Sequence, residues 1–120
     1  MLIDGANGAI SSQKKRFKTN IIYVPGVFEI PYMMSKNLKK FDAFIALGCV
    51  IKGETPHFDF ISKSSIDAIM KLSVESKKPI GNGILTCLNK NQAVERADKS
   101  NKNKGKEAAN AVIELLISDN

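Results

Sequence analysis

The chain has 120 residues, 43% of them hydrophobic and 25% charged, with a net charge of +6. Its length fits one domain, residues 1–120, with a single core. No apolar run reaches the roughly 18 residues of a membrane span, and the opening MLIDGANGAI lacks the basic-then-apolar order of a secretory signal.

In chain order, Leu2, Ile3, Ala6, Ala9 and Ile10 have helical spacing, which predicts a helix over 2–13 weakened by Gly5 and Gly8. NIIYV (20–24) predicts a short buried strand, stopped by Pro25-Gly26. A helix follows over 28–38, and it must begin just before Pro31, which only the first turn tolerates. AFIALGCVI (43–51) is a continuous apolar run, as expected of a strand covered on both faces. An amphipathic helix over 59–76 should turn Ile61, Ile66, Ile69, Met70 and Leu72 inward. IGNGILTCL (80–88) predicts a third strand. Helices over 90–98 and 105–117 end the chain, the second with Ala108, Ala109, Val112, Leu115 and Leu116 on its inner side.

This alternation predicts an α/β fold: a mainly parallel sheet of three strands with helices on both faces. A strand ahead of the first helix would complete the pattern. Ligands of such sheets bind beyond the carboxyl ends of the strands. Three segments fall there: Pro25–Glu29, Lys52–His57 and Thr86–Asn89.

The two cysteines, Cys49 and Cys87, are too few and too far apart for a disulfide framework or a zinc motif. Both lie in or beside apolar runs, so they are expected to be reduced and structural, in a cytoplasmic protein. The positive charge is spread over Lys14-Lys15-Arg16, Lys39-Lys40, Lys77-Lys78 and the 99–106 stretch. Scattered lysines favour a solvated surface over a nucleic-acid stripe.

His57 is the only histidine and follows Gly53-Glu54-Thr55 at a strand-to-helix junction. Backbone N–H groups at such a junction can hold a phosphate, and an imidazole there suits proton transfer. The plainer alternative is a turn with an exposed loop histidine. Glu29 is either a first-turn acid facing the helix dipole or an acceptor for a polyhydroxyl ligand. Phe28 is either core or a wall against a planar ring. Arg96, on a helix, fits a surface charge or an ion-pair partner, and Lys104, before the last helix, fits a solvent-exposed lysine. The sequence has no metal cluster, Walker loop or serine elbow.

Five stretches, VPGVFEIP (24–31), GCVIKGETPHFDFI (48–61), KPIGNGILT (78–86), QAVERAD (92–98) and NKGKEAA (103–109), together resemble the 6,7-dimethyl-8-ribityllumazine synthase family over nearly the whole chain. The resemblance implies a three-layer α-β-α sandwich with a flavodoxin-like sheet. It implies condensation of 5-amino-6-(D-ribitylamino)uracil with 3,4-dihydroxy-2-butanone 4-phosphate, giving the lumazine, phosphate and water in the penultimate step of riboflavin biosynthesis. No cofactor and no metal are implied. His57 would relay protons. Glu54 and Thr55 would offer N–H groups to the phosphate, and Arg96 would pair with it. Val27, Phe28 and Glu29 would line the ribityl pocket. Cys49, Val50 and Ile51 would meet the pyrimidine through their main chain, Asn82 would reach it from a neighbouring subunit, and Lys104 would add a polar contact.

The implied partners are these small molecules, sister subunits in a homopentamer or larger shell, and riboflavin synthase as a candidate; nucleic acid and membrane are not among them. Lys52 stands where many members have Arg, and Asn82 where many have an aromatic. The family begins with a strand ending in an aromatic-Asn pair that stacks on the pyrimidine, whereas MLIDGA resembles the helix after it. An N-terminally truncated chain lacking that first, central strand is therefore expected, with little or no turnover from the 120 residues alone. The alternative is a catalytically impaired or shell-forming copy.

Overall fold

The computed structural model describes residues 1–13, 17–98 and 100–118. The Lys14-Lys15-Arg16 run and Lys99 lie outside the described residues. The elements are α1 (Leu2–Ser11), a 3-10 turn (Val27–Glu29), α2 (Ile30–Lys36), β1 (Phe44–Ile51), α3 (His57–Ser76), β2 (Ile80–Cys87), α4 (Lys90–Ala97) and α5 (Lys104–Ser118).

Strands β1 and β2 are parallel and in register from Phe44 opposite Ile80 to Ile51 opposite Cys87. Side chains of a strand alternate between faces, and each face here meets its own helices. On one face Ala46 and Ile84 pack with Ile30 and Met34 of α2 and Ile69 of α3. On the other, Ile45 and Leu47 pack against Ala6 and Ala9 of α1 and Ala109 of α5, while Leu85 and Cys87 pack with Ala97 of α4. The result is the expected three-layer α-β-α arrangement.

Small residues set the closeness of the α1–α5 contact. A Cβ on Gly105 would collide with the Leu2 carbonyl, and one on Gly5 with the Asn103 side chain. Gly5 lowers the helix propensity of α1, and in exchange it lets the start of α5 come against it.

Four details differ from expectation. Residues 20–24 form no strand: the chain has no regular secondary structure there, and Ile21, Ile22 and Tyr23 are exposed. A strand is held by the ladder it joins, and no described strand lies beside this segment, so the sheet has two strands rather than three. Second, β1 is covered unevenly: Ala46 is buried, but Cys49 and Ile51, at its carboxyl end, are exposed. Third, Met70 is 62% exposed, because the buried stripe of α3 runs through Ser65 and Ile69, and Met70 lies about 100° further round the helix. Fourth, Leu115 is exposed and Ile113 takes the buried place in α5, beside Val112 and Ala109.

One lysine of the scattered set is structural. Lys78 Nζ donates to the carbonyls of Leu38 (2.6 Å) and Phe41 (2.9 Å). It ties the loop after α2 to the start of β2 and satisfies carbonyls left over beyond a helix end.

Candidate active site

The carboxyl ends of both strands point the same way, and the backbone ties them together. The Lys52 N–H donates to the Cys87 carbonyl at 2.9 Å. The Lys52–His57 loop and the Thr86–Asn89 turn therefore start side by side. The 3-10 turn joins them: Val27 packs over Gly48, with its Cγ2 2.8 Å from where a Gly48 Cβ would stand. Val27 also contacts the core cluster shared by β1 and α3. Val27 and α3 thus pack on the same side of β1.

Each expected residue has a definite place. Phe28 is 61% exposed on the 3-10 turn, which answers the choice between core and wall in favour of a surface face. Glu29 is half-buried, with Oε1 folded back over Gly26. Cys49, Val50 and Ile51 are the last three residues of β1. Glu54 and Thr55 occupy the exposed bend before α3, and Thr55 Oγ1 accepts a long hydrogen bond (3.4 Å) from the His57 N–H. His57 is the first residue of α3 and is exposed. The N-cap Pro56 makes no side-chain cap bond; its carbonyl accepts from the Asp59 and Phe60 N–H groups at 3.1 and 3.3 Å, and the positive end of the helix dipole faces the Glu54-Thr55 bend.

Asn82, Arg96 and Lys104 gather in a second cluster. They line a groove of about 390 Å³ along β2, together with Thr86, Lys102 and Glu107. Arg96 reaches from the last turn of α4, where Nη1 donates to the Thr86 carbonyl and to Cys87 Sγ, each at 3.3 Å. Lys104, the first residue of α5, holds Glu107 at 3.0 Å. His57 and Glu54 do not line this groove. The candidate residues therefore fall in two groups, candidate half-sites: one at the end of β1 and the start of α3, the other on β2, α4 and α5.

Sequence reasoning missed what aims Arg96. Helix α4 is fixed by a capping box: Asn89 Oδ1 accepts from the Gln92 N–H (2.9 Å), and Gln92 Oε1 accepts from the Leu88 N–H (2.8 Å). The spacing of LNKNQ, Asn followed three residues later by Gln, carries that signal. The Thr86 and Cys87 contacts had no sequence signal, since they depend on how α4 folds back on β2. Cys49 is also a correction: it is exposed, whereas Cys87 is fully buried, and both thiols are free. Burial, together with the charge and hydrogen bonding of the Cys87 thiol, pushes the Cys49 pKa up. Among the described residues no group of three or more His, Cys, Asp and Glu could hold a metal ion, and no helix is long and apolar enough to cross a membrane.

Comparison with known proteins gives one answer. The family model for 6,7-dimethyl-8-ribityllumazine synthase matches residues 1–118. The Sphingopyxis alaskensis 6,7-dimethyl-8-ribityllumazine synthase is 43% identical over 118 residues, which cover 97% of this chain and 82% of the relative. The Bartonella tribocorum protein of the same name is 46% identical over 113 residues, with 91% and 75% covered. That of Campylobacter jejuni is 42% identical over 118 residues, with 96% and 77% covered. With strands, loops and helices placed as the motif order demands and a match over nearly its whole length, this chain belongs to the 6,7-dimethyl-8-ribityllumazine synthase family.

Proposed function

We propose that the chain condenses 5-amino-6-(D-ribitylamino)uracil with 3,4-dihydroxy-2-butanone 4-phosphate to give 6,7-dimethyl-8-ribityllumazine, phosphate and water. The observation that carries this reading is the junction of β1 and α3, where the exposed Gly53-Glu54-Thr55 bend runs into the N-terminus of a helix that begins with the chain's only histidine. The N–H groups at Glu54 and Thr55 hold the phosphate of the butanone, and the helix dipole favours its charge. His57 moves protons as the uracil's amine adds to the ketone, as the imine forms and phosphate leaves, and as the ring closes with loss of water. Orientation supplies most of the acceleration, so a single acid-base group is enough.

Val27, Phe28 and Glu29 face the ribityl chain, with the Glu29 carboxylate accepting from its hydroxyls. The main chain of Cys49–Ile51 meets the pyrimidine. The two half-sites favour completion across a subunit boundary: Asn82, Arg96 and Lys104 of one chain serve the His57 half-site of the next. Arg96 then adds a charge-assisted contact to the phosphate. Exposed Tyr23, Phe28, Tyr32 and Phe60 supply apolar surface for such a boundary, consistent with a pentamer-based assembly in the cytoplasm.

The test is lumazine fluorescence from the two substrates, with the Sphingopyxis relative assayed beside it. The enzyme reading predicts formation above the spontaneous rate, against the little or no turnover expected from the sequence alone. Replacing His57 with Ala should lower turnover by about 10²- to 10⁴-fold with little change in KM. Replacing Arg96 with Gln should raise KM for the butanone phosphate as well. A rate equal to the spontaneous one, with large particles in light scattering, would favour a shell-forming scaffold instead.

A further inference from the structure

The two cysteines lie 38 residues apart in sequence and meet at the carboxyl end of the sheet. In the parallel register Cys49 stands opposite Leu85, so Cys87 is its diagonal neighbour, one strand over and two residues along. Residues two apart share a face of the sheet, so the two side chains emerge on the same side. Their environments differ. Cys49 is exposed, and Cys87 is fully buried beneath α4. The guanidinium of Arg96 donates to Cys87 Sγ at 3.3 Å.

We propose that Cys49 and Cys87 form a dithiol oxidation site, closing to a disulfide between β1 and β2 when the chain meets a peroxide. This rests on the register and the thiol environments, and it stands whether or not the chain catalyses the condensation. Cys49 is the thiol that meets solvent. It reacts as its thiolate with hydrogen peroxide, giving Cys49 sulfenic acid and water once a proton is taken up. Cys87 then gives up its proton and its sulfur attacks the sulfenic sulfur. The hydroxide that leaves takes that proton and departs as the second water. Two thiols and one peroxide yield one disulfide and two waters.

Arg96 has a part in the second step. Its N–H already points at Cys87 Sγ, where negative charge builds as that sulfur loses its proton, and a hydrogen bond to a charged partner is stronger than one to a neutral partner. The first step is slowed, because partial desolvation and the neighbouring Cys87 thiol raise the Cys49 pKa and lower its thiolate fraction. The site therefore answers to sustained peroxide rather than to trace amounts. Diagonal neighbours in a sheet stand about 7–8 Å apart, whereas a disulfide needs Cα atoms within roughly 4.4–6.8 Å. Closure must draw the strand ends together by about 1–2 Å. The position allows this: Cys87 is the last residue of β2, and Leu88 beyond it is exposed. The same movement carries away the sulfur that holds Arg96.

The experiment treats the purified chain with hydrogen peroxide, blocks remaining thiols with N-ethylmaleimide and maps peptides without reduction. The expected result is a Cys49–Cys87 link within one chain, with the free thiol count falling from two to none and returning to two with dithiothreitol. In C87S the same treatment should leave Cys49 as a sulfenic acid captured by dimedone. A wild-type chain in which Cys49 goes on to sulfinic acid while Cys87 stays reduced would overturn the proposal. So would links formed only between chains, or two thiols that remain free at a peroxide dose that oxidises a surface-exposed control cysteine.

Discussion

NIIYV (20–24) and FIALGCVI (44–51) have much the same composition, rich in aliphatic and β-branched residues, and they meet different fates. The second is a strand with a parallel partner, helices on both faces and a buried Ala46. The first has no ladder and no regular secondary structure, with Ile21 and Ile22 half exposed and Tyr23 at 77% exposure. Propensity is nearly equal in the two, so pairing decides. A groove of about 850 Å³ lies between α1 and the 17–22 stretch, lined by Ile10, Phe17, Ile21 and Ile22 among others. It is larger than the groove along β2, and none of the expected site residues lines it. The chemistry-bearing residues collect where strands are paired.

That contrast can be broken at its stronger side first. Ile84 is 7% exposed in the core between β2, α2 and α3. Ile84→Ala should cost about 2–4 kcal/mol in urea unfolding, through lost burial and a cavity. Gly105→Ala should cost about 1–3 kcal/mol, because its methyl meets the Leu2 carbonyl and pushes α1 from α5. Lys78→Met removes the donor shared by Leu38 and Phe41 and should cost about 1–3 kcal/mol. A loss near zero would mean water replaces the ammonium there.

On the weaker side, Ile22→Ala should stay within about 0.5 kcal/mol, as exposed positions do. Amides of 20–24 should exchange quickly, while those of β1 and β2 exchange slowly. Slow exchange at 20–24 would show that the segment has found a partner strand and would remove the contrast. The smallest effect is chemical. With its pKa raised, Cys49 should alkylate more slowly than a free cysteine near pH 8, and the gap should narrow as pH rises and the thiolate forms. Equal rates at pH 8 would contradict the raised value.

Most of the helices and both paired strands were legible because hydrophobic period and Pro/Gly punctuation act locally. The start of α2 at Pro31 and the run into β2 after Pro79 follow from backbone chemistry alone. What failed depends on neighbours distant in sequence. The burial of Met70 and Leu115 turns on the direction each helix faces, which several apolar residues on one helix leave ambiguous. The strand at 20–24 needed a partner that no local pattern reveals. The motifs named the candidate residues, and the strand-to-helix junction they imply at 52–57 is where β1 ends and α3 begins. The direction of Arg96 was not legible, because it depends on Thr86 and Cys87 across the fold.

The central claim is that the paired strand ends carry a lumazine synthase site. The most direct measurement is the initial rate of lumazine formation by the chain and by its Arg96→Gln variant, over a range of butanone phosphate concentrations. The account predicts a rate above the spontaneous reaction for the chain, and for the variant a higher KM for the butanone phosphate with a lower turnover. A rate indistinguishable from the spontaneous one, or kinetics unchanged by the loss of Arg96, would contradict it.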